Sequence, residues 1–440
     1  MLDIKWISAN QQDFINNMKK RGFDVNLIEI INLYEAQKNL TSKLQLLQNS
    51  RNTNSESIRV EKDIEIKNKT IALVKNINLE IDAIKEELEK VDFNLNKILV
   101  ILPNILQDDV PLGESEEDNV VIKTFNIQKE AILHQSQHSK IRTHIVNTNN
   151  HKILDHLEIL TKFNCIETEK TVEMSGSRFV SMQKNGAKLE RALKNFILDF
   201  NIKHGFTEIN PPYLVQNNAA FNAGQLPKFE EDLFSTTTKH KLIPTAEVPL
   251  VNLYANKLLS LNEAENPIRL TAHTPCFRSE AGSAGKDTKG LIRLHQFHKV
   301  ELVSICRPEI AEKEHEFMLN TVEKLLQLLE LPYQVMILCS KDTSHHSTKT
   351  YDIEVWFPSQ NKYREISSIS NCGNYQARRL NAKYKDEHDK NVFFHMLNGS
   401  NLPLGRTIAA IVENYMNYDE NYIQIPSILI PYFGDDKIKL

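Results

Sequence analysis

Between Phe23 and Leu102 the chain contains neither glycine nor proline. Loops and tight turns depend on those residues and helices tolerate them poorly, so the gap excludes a loop-rich domain there and reads as long helix. Neither sign of charge predominates. With 53 Lys and Arg against 57 Asp and Glu, a formal net charge of −4, the protein cannot grip nucleic acid through charge spread over its whole surface; any such binding must be local. Cysteine is scarce: Cys165, Cys276, Cys306, Cys339 and Cys372 form no C-x-x-C pair and no zinc-type spacing. That excludes a disulfide framework and points to ordinary buried thiols in a reducing compartment. No uncharged apolar run approaches the ~20 residues of a membrane helix, and MLDIKWISANQQDF lacks the apolar core of a signal peptide. The expectation is a cytoplasmic chain with no membrane partner. There is no P-loop and no G-x-G-x-x-G, so the two commonest nucleotide-binding turns are absent.

In the glycine-free stretch, Ile71, Val74, Ile77, Ile81, Ile84, Leu88, Val91, Leu95, Ile98 and Leu102 alternate steps of three and four, the seam of a coiled coil. Leu33, Leu40, Leu44 and Leu47 begin a shorter stripe upstream. An antiparallel helical hairpin buries both. The polar cluster Asn49–Ser57 could hold the turn, but the arms would then be unequal. A turn near Asp63–Lys69 gives arms of about 36 and 33 residues, each about 50 Å long at ~1.5 Å per residue, which must project from any compact domain. Three domains are expected: the helical region 1–102, a linker 103–118 whose acidic, Pro- and Gly-bearing run reads as a solvated connector, and a core 119–440. Within the core, helices near 187–204 and 309–330 alternate with strand candidates Thr207–Ile209, Ile268–Ser279, Leu291–Ser304, Tyr351–Phe357 and Lys362–Ser368. Strands joined by short turns, with helices gathered between groups, indicate an α+β fold with an antiparallel sheet.

Four segments carry candidate chemistry. In residues 274–303 a loop, Ala281–Gly290, bears Gly282, Gly285, Lys286 and Lys289 and suits a polyanion. Strand parity places Arg278 with Glu280, and Arg293 with Phe297 and Glu301. Two guanidinium groups, two carboxylates and an aromatic plane suit a nucleotide; a hairpin with cross-strand ion pairs is the equal alternative. The strand pair 351–371 aligns Asp352, Glu354 and Trp356 and supplies Glu365, Ser367 and Ser368, oxygen ligands of the kind Mg²⁺ takes beside phosphate, although strand carboxylates are mostly solvated. Gly405, Arg406 and Thr407 open a helix, an anion site or simply a capped start. Thr245 and Glu247 lie together in IPTAEVPL, where the plain reading is a cap and its first turn.

Taken together, these residues resemble a known family. FRSE (277–280), the glycine-rich loop and R-x-x-x-F (293–297) resemble motif 2 of the class II aminoacyl-tRNA synthetases, GFTEINPP (205–212) resembles motif 1, and GRT (405–407) resembles motif 3. More narrowly, GQLPKFEEDLF (224–234), TAEVPL (245–250), RSEAGSAG, HQFHKVELV, YDIEVW, YREISS, QARR (376–379) and NGS (398–400) resemble bacterial-type seryl-tRNA synthetases, which also carry an N-terminal helical hairpin. That resemblance implies a class II antiparallel core plus a coiled-coil arm, and an enzyme that joins serine to ATP and then to tRNA(Ser), with tRNA(Sec) as a second acceptor. It implies ATP contacts from Arg278, Ser279, Glu280, Phe297, Glu365, Ile366, Ser367, Ser368 and Arg406, of which Arg278, Glu280 and Arg406 are catalytic. Serine contacts would come from Thr245, Ala246, Glu247, Arg278, Glu301 and Ser400, Mg²⁺ ligands from Glu365 and Ser368, and the enzyme would act as a homodimer. The sequence departs from the family at SKDTSHHSTKT (340–350), where a Gly-Asp pair is usual, at His298 for Asp, and at Asn401 for a small residue. A non-catalytic coiled-coil protein on a decayed synthetase would lack Arg278, Glu365 or Arg406; a ligase for a carrier protein would lack the arm. Neither loss is seen.

Overall fold

The computed structural model describes residues 1–126, 152–260, 262–281 and 290–440. These form two compact units, Met1–Pro103 and Asn104–Leu440.

The first unit is dominated by two long helices, α1 (Leu27–Val60) and α2 (Ile64–Ile101). Asn26 caps α1 by accepting from the Glu29 N–H. The chain turns at Glu61–Asp63 because the Asp63 carboxylate accepts from both Glu65 N–H (2.8 Å) and Ile66 N–H (3.2 Å), satisfying two donors a new helix leaves open. The break therefore falls at the near edge of the expected 63–69 stretch, whose remaining residues are already helical, and the arms are 34 and 38 residues. The polar cluster 49–57 is helix. The seam packs as its spacing predicts over Ile77, Ile81, Ile84 and Leu95, all buried, while Gln37 Nε2 donates to Asp92 across the pair at 2.7 Å. Towards the turn the seam opens, and Ile71 is 47% exposed.

The second unit is built on one eight-stranded sheet. Its strands are β1 (Val120–Phe125), β2 (Thr207–Glu208), β3 (Ile268–Phe277), β4 (Gln296–Cys306), β5 (Tyr333–Ile337), β6 (Lys349–Phe357), β7 (Lys362–Asn371) and β8 (His395–Pro403), in the spatial order β1-β5-β6-β7-β8-β4-β3-β2. Every pairing is antiparallel except β2 with β3. Three helices serve this sheet: α3 (Lys184–Lys203), α4 (Ala311–Leu328) and α5 (Leu404–Asn414). Alternation along β4 sorts the two faces. Val300, Leu302 and Cys306 join the apolar cluster that includes Leu193, Val322 and Ile408 of the helices, while Val303 and Ile305 join a second cluster with Val248 and Ala377. Glu301 shares the parity of Val303, so it points away from the three helices. The same rule in β6 sends Tyr351, Ile353, Val355 and Phe357 to the helices and leaves Asp352, Glu354 and Trp356 on the other face.

Residues 104–118 are not a solvated connector. Asn104 N–H donates to His345 O, and its side-chain amide donates to the carbonyls of His346 and Cys372 at 2.9 Å each. Gln107 N–H donates to Thr348 O, Asp109 pairs with Lys349 at 2.5 Å, and Glu114 pairs with Lys341. Composition registers an acidic run; the lysines that receive it stand more than two hundred residues away, in the 340–350 segment where the sequence departs from the family it resembles.

Candidate active site

On the face away from the three helices lies a cavity of about 330 Å³. Three strands and the short helix Glu247–Asn252 meet there. From the sequence candidates it gathers Thr245, Glu247, Arg278, Glu280, Arg293, Glu301, Ser368 and Ser400.

Two carboxylates form its floor, with different partners. Glu301, on β4, is 2.6 Å from Lys299 Nζ and accepts from Thr245 Oγ1 at 2.7 Å. Lys299 also donates to Ser400 Oγ at 2.9 Å, so this carboxylate has a cation and a hydroxyl of its own. Glu247 has neither. One of its oxygens accepts from Gln376 Nε2 (2.5 Å) and Asn398 Nδ2 (2.9 Å). Burial, and then the Glu301 charge nearby, push Glu247 up to about 7. Lys299, Asn398 and Gln376 were not among the sequence candidates. Lys299 was within reach, since it shares a strand face with Glu301 two residues on; Gln376 and Asn398 lay inside quoted motifs without an assigned task.

The cationic wall is Arg278 and Arg293. Arg278 Nε donates to Pro244 O at 3.4 Å and the guanidinium lies over the Phe297 ring, 5.3 Å from its centroid. Arg293 is bound to Glu280 at 2.5 Å. Strand parity does not place these groups: β3 ends at Phe277 and β4 begins at Gln296, so Arg278, Glu280 and Arg293 all lie in the connecting segments. Glu280 reaches the cavity through a left-handed backbone, φ 55°. The lysine-bearing loop residues 282–289, with Gly282, Gly285, Lys286 and Lys289, lie outside the described residues.

Other candidates are near the cavity without lining it. Ser279 Oγ donates to Glu231 O at 2.5 Å, so its hydroxyl is directed at the 230–232 turn. Ala246 is buried at the start of the short helix. The β6–β7 ladder shifts register between Ile353 and Glu354, opposite Ile366, and this bulge sends Ile366 into the helix-side core. Ser367 is likewise fully buried and donates to Ser400 O at 2.5 Å. Any contact to a nucleotide from Ile366 must therefore use its backbone. Arg406, in the first turn of α5, donates to Glu365 O (2.5 Å) and Ile292 O (3.0 Å), with the Glu365 carboxylate 3.6 Å away. The helix start thus positions an arginine rather than exposing it.

Oxygen ligands for a cation are concentrated where β6 meets β7. Asp352 faces Ser368 across the ladder, and burial together with the Glu365 charge raises its carboxyl well above the usual range. Asp352 Oδ1 is buried and has no hydrogen-bond partner among the described residues. Such an orphaned oxygen beside Glu365 and Ser368 fits a hard divalent ion. The unusual 340–350 segment contributes Ser344 and His346 to the lining. His298, the other departure on the sheet, has the opposite parity to Glu301 and sits against His273, ring nitrogens 3.2 Å apart. Among the described residues no cluster of three His, Cys, Asp or Glu could hold a metal, and no helix is long and apolar enough to cross a membrane.

Known proteins share this fold. The family model "Seryl-tRNA synthetase N-terminal domain" matches residues 1–106 and "tRNA synthetase class II core domain (G, H, P, S and T)" matches 229–415. The serine–tRNA ligase of Rickettsia canadensis is 44% identical over 99% of this chain and 98% of its own, and that of Rickettsia prowazekii 43% over the same shares. Among solved structures, seryl-tRNA synthetase from Pyrococcus horikoshii complexed with ATP superposes with TM-score 0.86 at 34% identity, covering 100% of this chain and 99% of its own. The cytoplasmic serine–tRNA ligase of Naegleria fowleri in complex with AMP gives 0.84 at 28% identity over the same shares. Identity at this level over nearly the whole chain, with the two family models, shows that the chain belongs to the seryl-tRNA synthetase family of class II aminoacyl-tRNA ligases.

Proposed function

We propose that the cavity is where this serine–tRNA ligase activates L-serine with ATP, and that its residues divide the work as follows. Glu247 receives the serine ammonium, helped by Glu301, while Thr245, Glu301 and Ser400 surround the hydroxyl end and the Ala246 backbone closes the side. Arg278 neutralises the α-phosphate, with Phe297 against the adenine. Glu280, held by Arg293, sets the edge of the nucleotide site, with Ser279 and the 366–367 backbone beside it. Arg406, fixed by two carbonyls, faces the distal phosphates.

The serine carboxylate is ionised at neutral pH, so one of its oxygens attacks the α-phosphorus without a general base. The P–O bond to pyrophosphate breaks as the acyl–phosphate bond forms, giving seryl-adenylate. The site contributes alignment and cancellation of crowded negative charge. The donor set at Glu365 and Ser368, with Asp352 behind, suits Mg²⁺, which would add positive charge to the phosphate oxygens. A terminal hydroxyl of tRNA(Ser), or of tRNA(Sec), then takes the seryl group with AMP leaving. Alanine would leave buried polar groups around Thr245 and Ser400 unpaired, which disfavours it; threonine is excluded by size. The helical pair is the proposed tRNA contact, reading shape and phosphates, and the working enzyme is a cytoplasmic homodimer.

One observation carries this reading: Glu247 has no cation partner among the described residues while sharing a cavity with Arg278, so the site is open to an ammonium and an anion together. The test is ATP–pyrophosphate exchange with serine, alanine and threonine in the presence of Mg²⁺. Serine-dependent exchange nearly abolished by Arg278→Ala and by Glu247→Ala is expected; exchange that prefers alanine or threonine overturns the assignment.

A further inference from the structure

A buried histidine outside the cavity has a well-defined pair of partners. His156 is 4% exposed, in the helix His156–Lys162. Its Nδ1 is 2.8 Å from Glu413 Oε1, and its Nε2 is 3.1 Å from the backbone nitrogen of Leu291. A backbone N–H can only donate, so Nε2 accepts, the ring proton sits on Nδ1, and Nδ1 donates to Glu413. Glu413 is itself fully buried and accepts in addition from His156 N–H and Ser359 N–H. The histidine ring is thus a rigid strut between the last turn of α5 and the residue that opens the path to Arg293.

The other end of α5 reaches the same path. Arg406 donates to Ile292 O, and six residues of α5 lie between Arg406 and Glu413. Residues 291 and 292 are therefore held from both ends of one buried helix, through a backbone N–H at one residue and a carbonyl at the next. Two residues past Leu291 stands Arg293, bound to Glu280 in the cavity wall. Gly290 leaves room for the strut: a Cβ there would lie 2.1 Å from His156 Nε2, and its φ of +76° is one that side chains rarely adopt.

We propose that His156, fixed by Glu413, is a positioning residue for nucleotide binding: it sets the register of the 290–293 segment so that Arg293 and Glu280 meet at the ATP site. The inference rests on reading that site as the ATP site. It touches no substrate and acts through Leu291.

Amide side chains separate the two bonds. His156→Asn can still donate to Glu413 from the position of Nδ1 but cannot reach Leu291; His156→Gln can place an oxygen near Nε2 and accept from Leu291 N–H. Loss of one positioning hydrogen bond predicts an ATP KM raised about five- to tenfold in His156→Asn, with the serine KM unchanged and most of the loss recovered in His156→Gln. Gly290→Ala, which drives a methyl group into the ring, should mimic His156→Asn if that variant folds poorly. Full-length enzyme is assayed by pyrophosphate exchange and, independently, by calorimetric titration with ATP and Mg²⁺. An unchanged ATP KM in His156→Asn, or ATP and serine KM values rising together, or no recovery in His156→Gln, overturns the proposal. If the unaltered enzyme binds ATP but shows no serine-dependent exchange, the ligase reading falls while the calorimetry still decides the role of His156; if it binds no ATP, both fall.

Discussion

Replacing Glu247 with glutamine should remove a pH dependence that the fold itself creates. The carboxyl is raised from 4.5 to about 7, first by burial and second by Glu301. A folded-state value above the unfolded one means the native protein favours the proton. Its contribution to stability is whole below about 4.5 and is lost as pH rises through about 7. At ~1.4 kcal/mol per tenfold change in proton affinity, the difference is about 3 kcal/mol. Glu247→Gln keeps an oxygen for Gln376 and Asn398, so its neutral network should survive, and the pH-dependent loss should vanish. Serine changes the sign of the argument, because its ammonium favours the ionised carboxylate. Serine affinity of the unaltered enzyme should therefore improve about tenfold per pH unit below 7 and level off above, while Glu247→Gln binds weakly at every pH. Urea unfolding and serine titration of both proteins between pH 5.5 and 8.5 provide the measurement, and the difference between them isolates this group from others that titrate. Coincident stability curves, or a serine affinity in the unaltered enzyme that is flat from pH 5.5 to 7, would refute the argument.

Glu365→Gln should raise the Mg²⁺ concentration needed for half-maximal exchange about tenfold or more, read by Mg²⁺ titration at fixed ATP; an unchanged requirement removes Glu365 from the ligand set. Lys299→Met leaves Glu301 buried without its cation, and a loss of about 3 kcal/mol in urea unfolding is expected, together with loss of serine activation. Asn401→Ala breaks the buried amide chain in which Asn401 donates to Asn201 at 2.6 Å and Asn201 donates to Thr271 at 2.9 Å. It should cost about 1–3 kcal/mol without changing the serine KM. In the arm, residues 27–100 hold 11 Lys and Arg against 12 Asp and Glu, so the tRNA contact proposed for it must be local. Charge reversal at Arg51, Arg59, Lys62, Lys67 and Lys69 should weaken tRNA affinity and flatten its salt dependence; unchanged values refute that placement.

How far these features were legible depends on the range over which they are encoded. The coiled-coil seam and the alternation in β6 are local periodicities, and the burial of Ile77, Ile81 and Ile84 and the outward parity of Asp352 and Glu354 follow them. The hairpin turn depended on a cap, a three-residue signal that an arm-length argument cannot resolve. Arg278, Glu280 and Arg293 do line one cavity, but strand parity is not the reason, because they lie beyond the strand ends where alternation stops. Ile366 shows the opposite failure: it sits on a strand, but a one-residue bulge turned it into the core. Contacts such as Asn104 with Cys372 or His156 with Leu291 join segments whose only common property is proximity in the fold, and no pattern along the chain encodes them.

Charge pairing inside the cavity narrows what it can hold. Glu280 is paired with Arg293 and Glu301 with Lys299, and Asp232 accepts from the Ala281 N–H, so five of the seven charged side chains that line the cavity among the described residues are already engaged. The remaining two are Arg278, whose hydrogen bond goes to a carbonyl and which lies over an aromatic ring, and Glu247, which favours its neutral form. A ligand bearing only a phosphate would satisfy the arginine and leave Glu247 protonated, gaining nothing from its burial. A ligand bearing only an amine would ionise Glu247 and leave Arg278 uncompensated in a confined space. An amino acid beside the α-phosphate of ATP satisfies both at once, and each half improves the field for the other: the ionised Glu247 moderates Arg278, and the phosphate offsets the charge brought by the ammonium. Binding of serine and ATP should therefore be mutually reinforcing, and by linkage the factor by which saturating serine lowers the ATP Kd must equal the factor by which ATP lowers the serine Kd. Calorimetry with a non-hydrolysable ATP analogue and Mg²⁺ measures both; in Glu247→Gln, where the ammonium meets no carboxylate charge to release, the shared factor should fall towards one, and a factor that persists there would place the coupling elsewhere in the site.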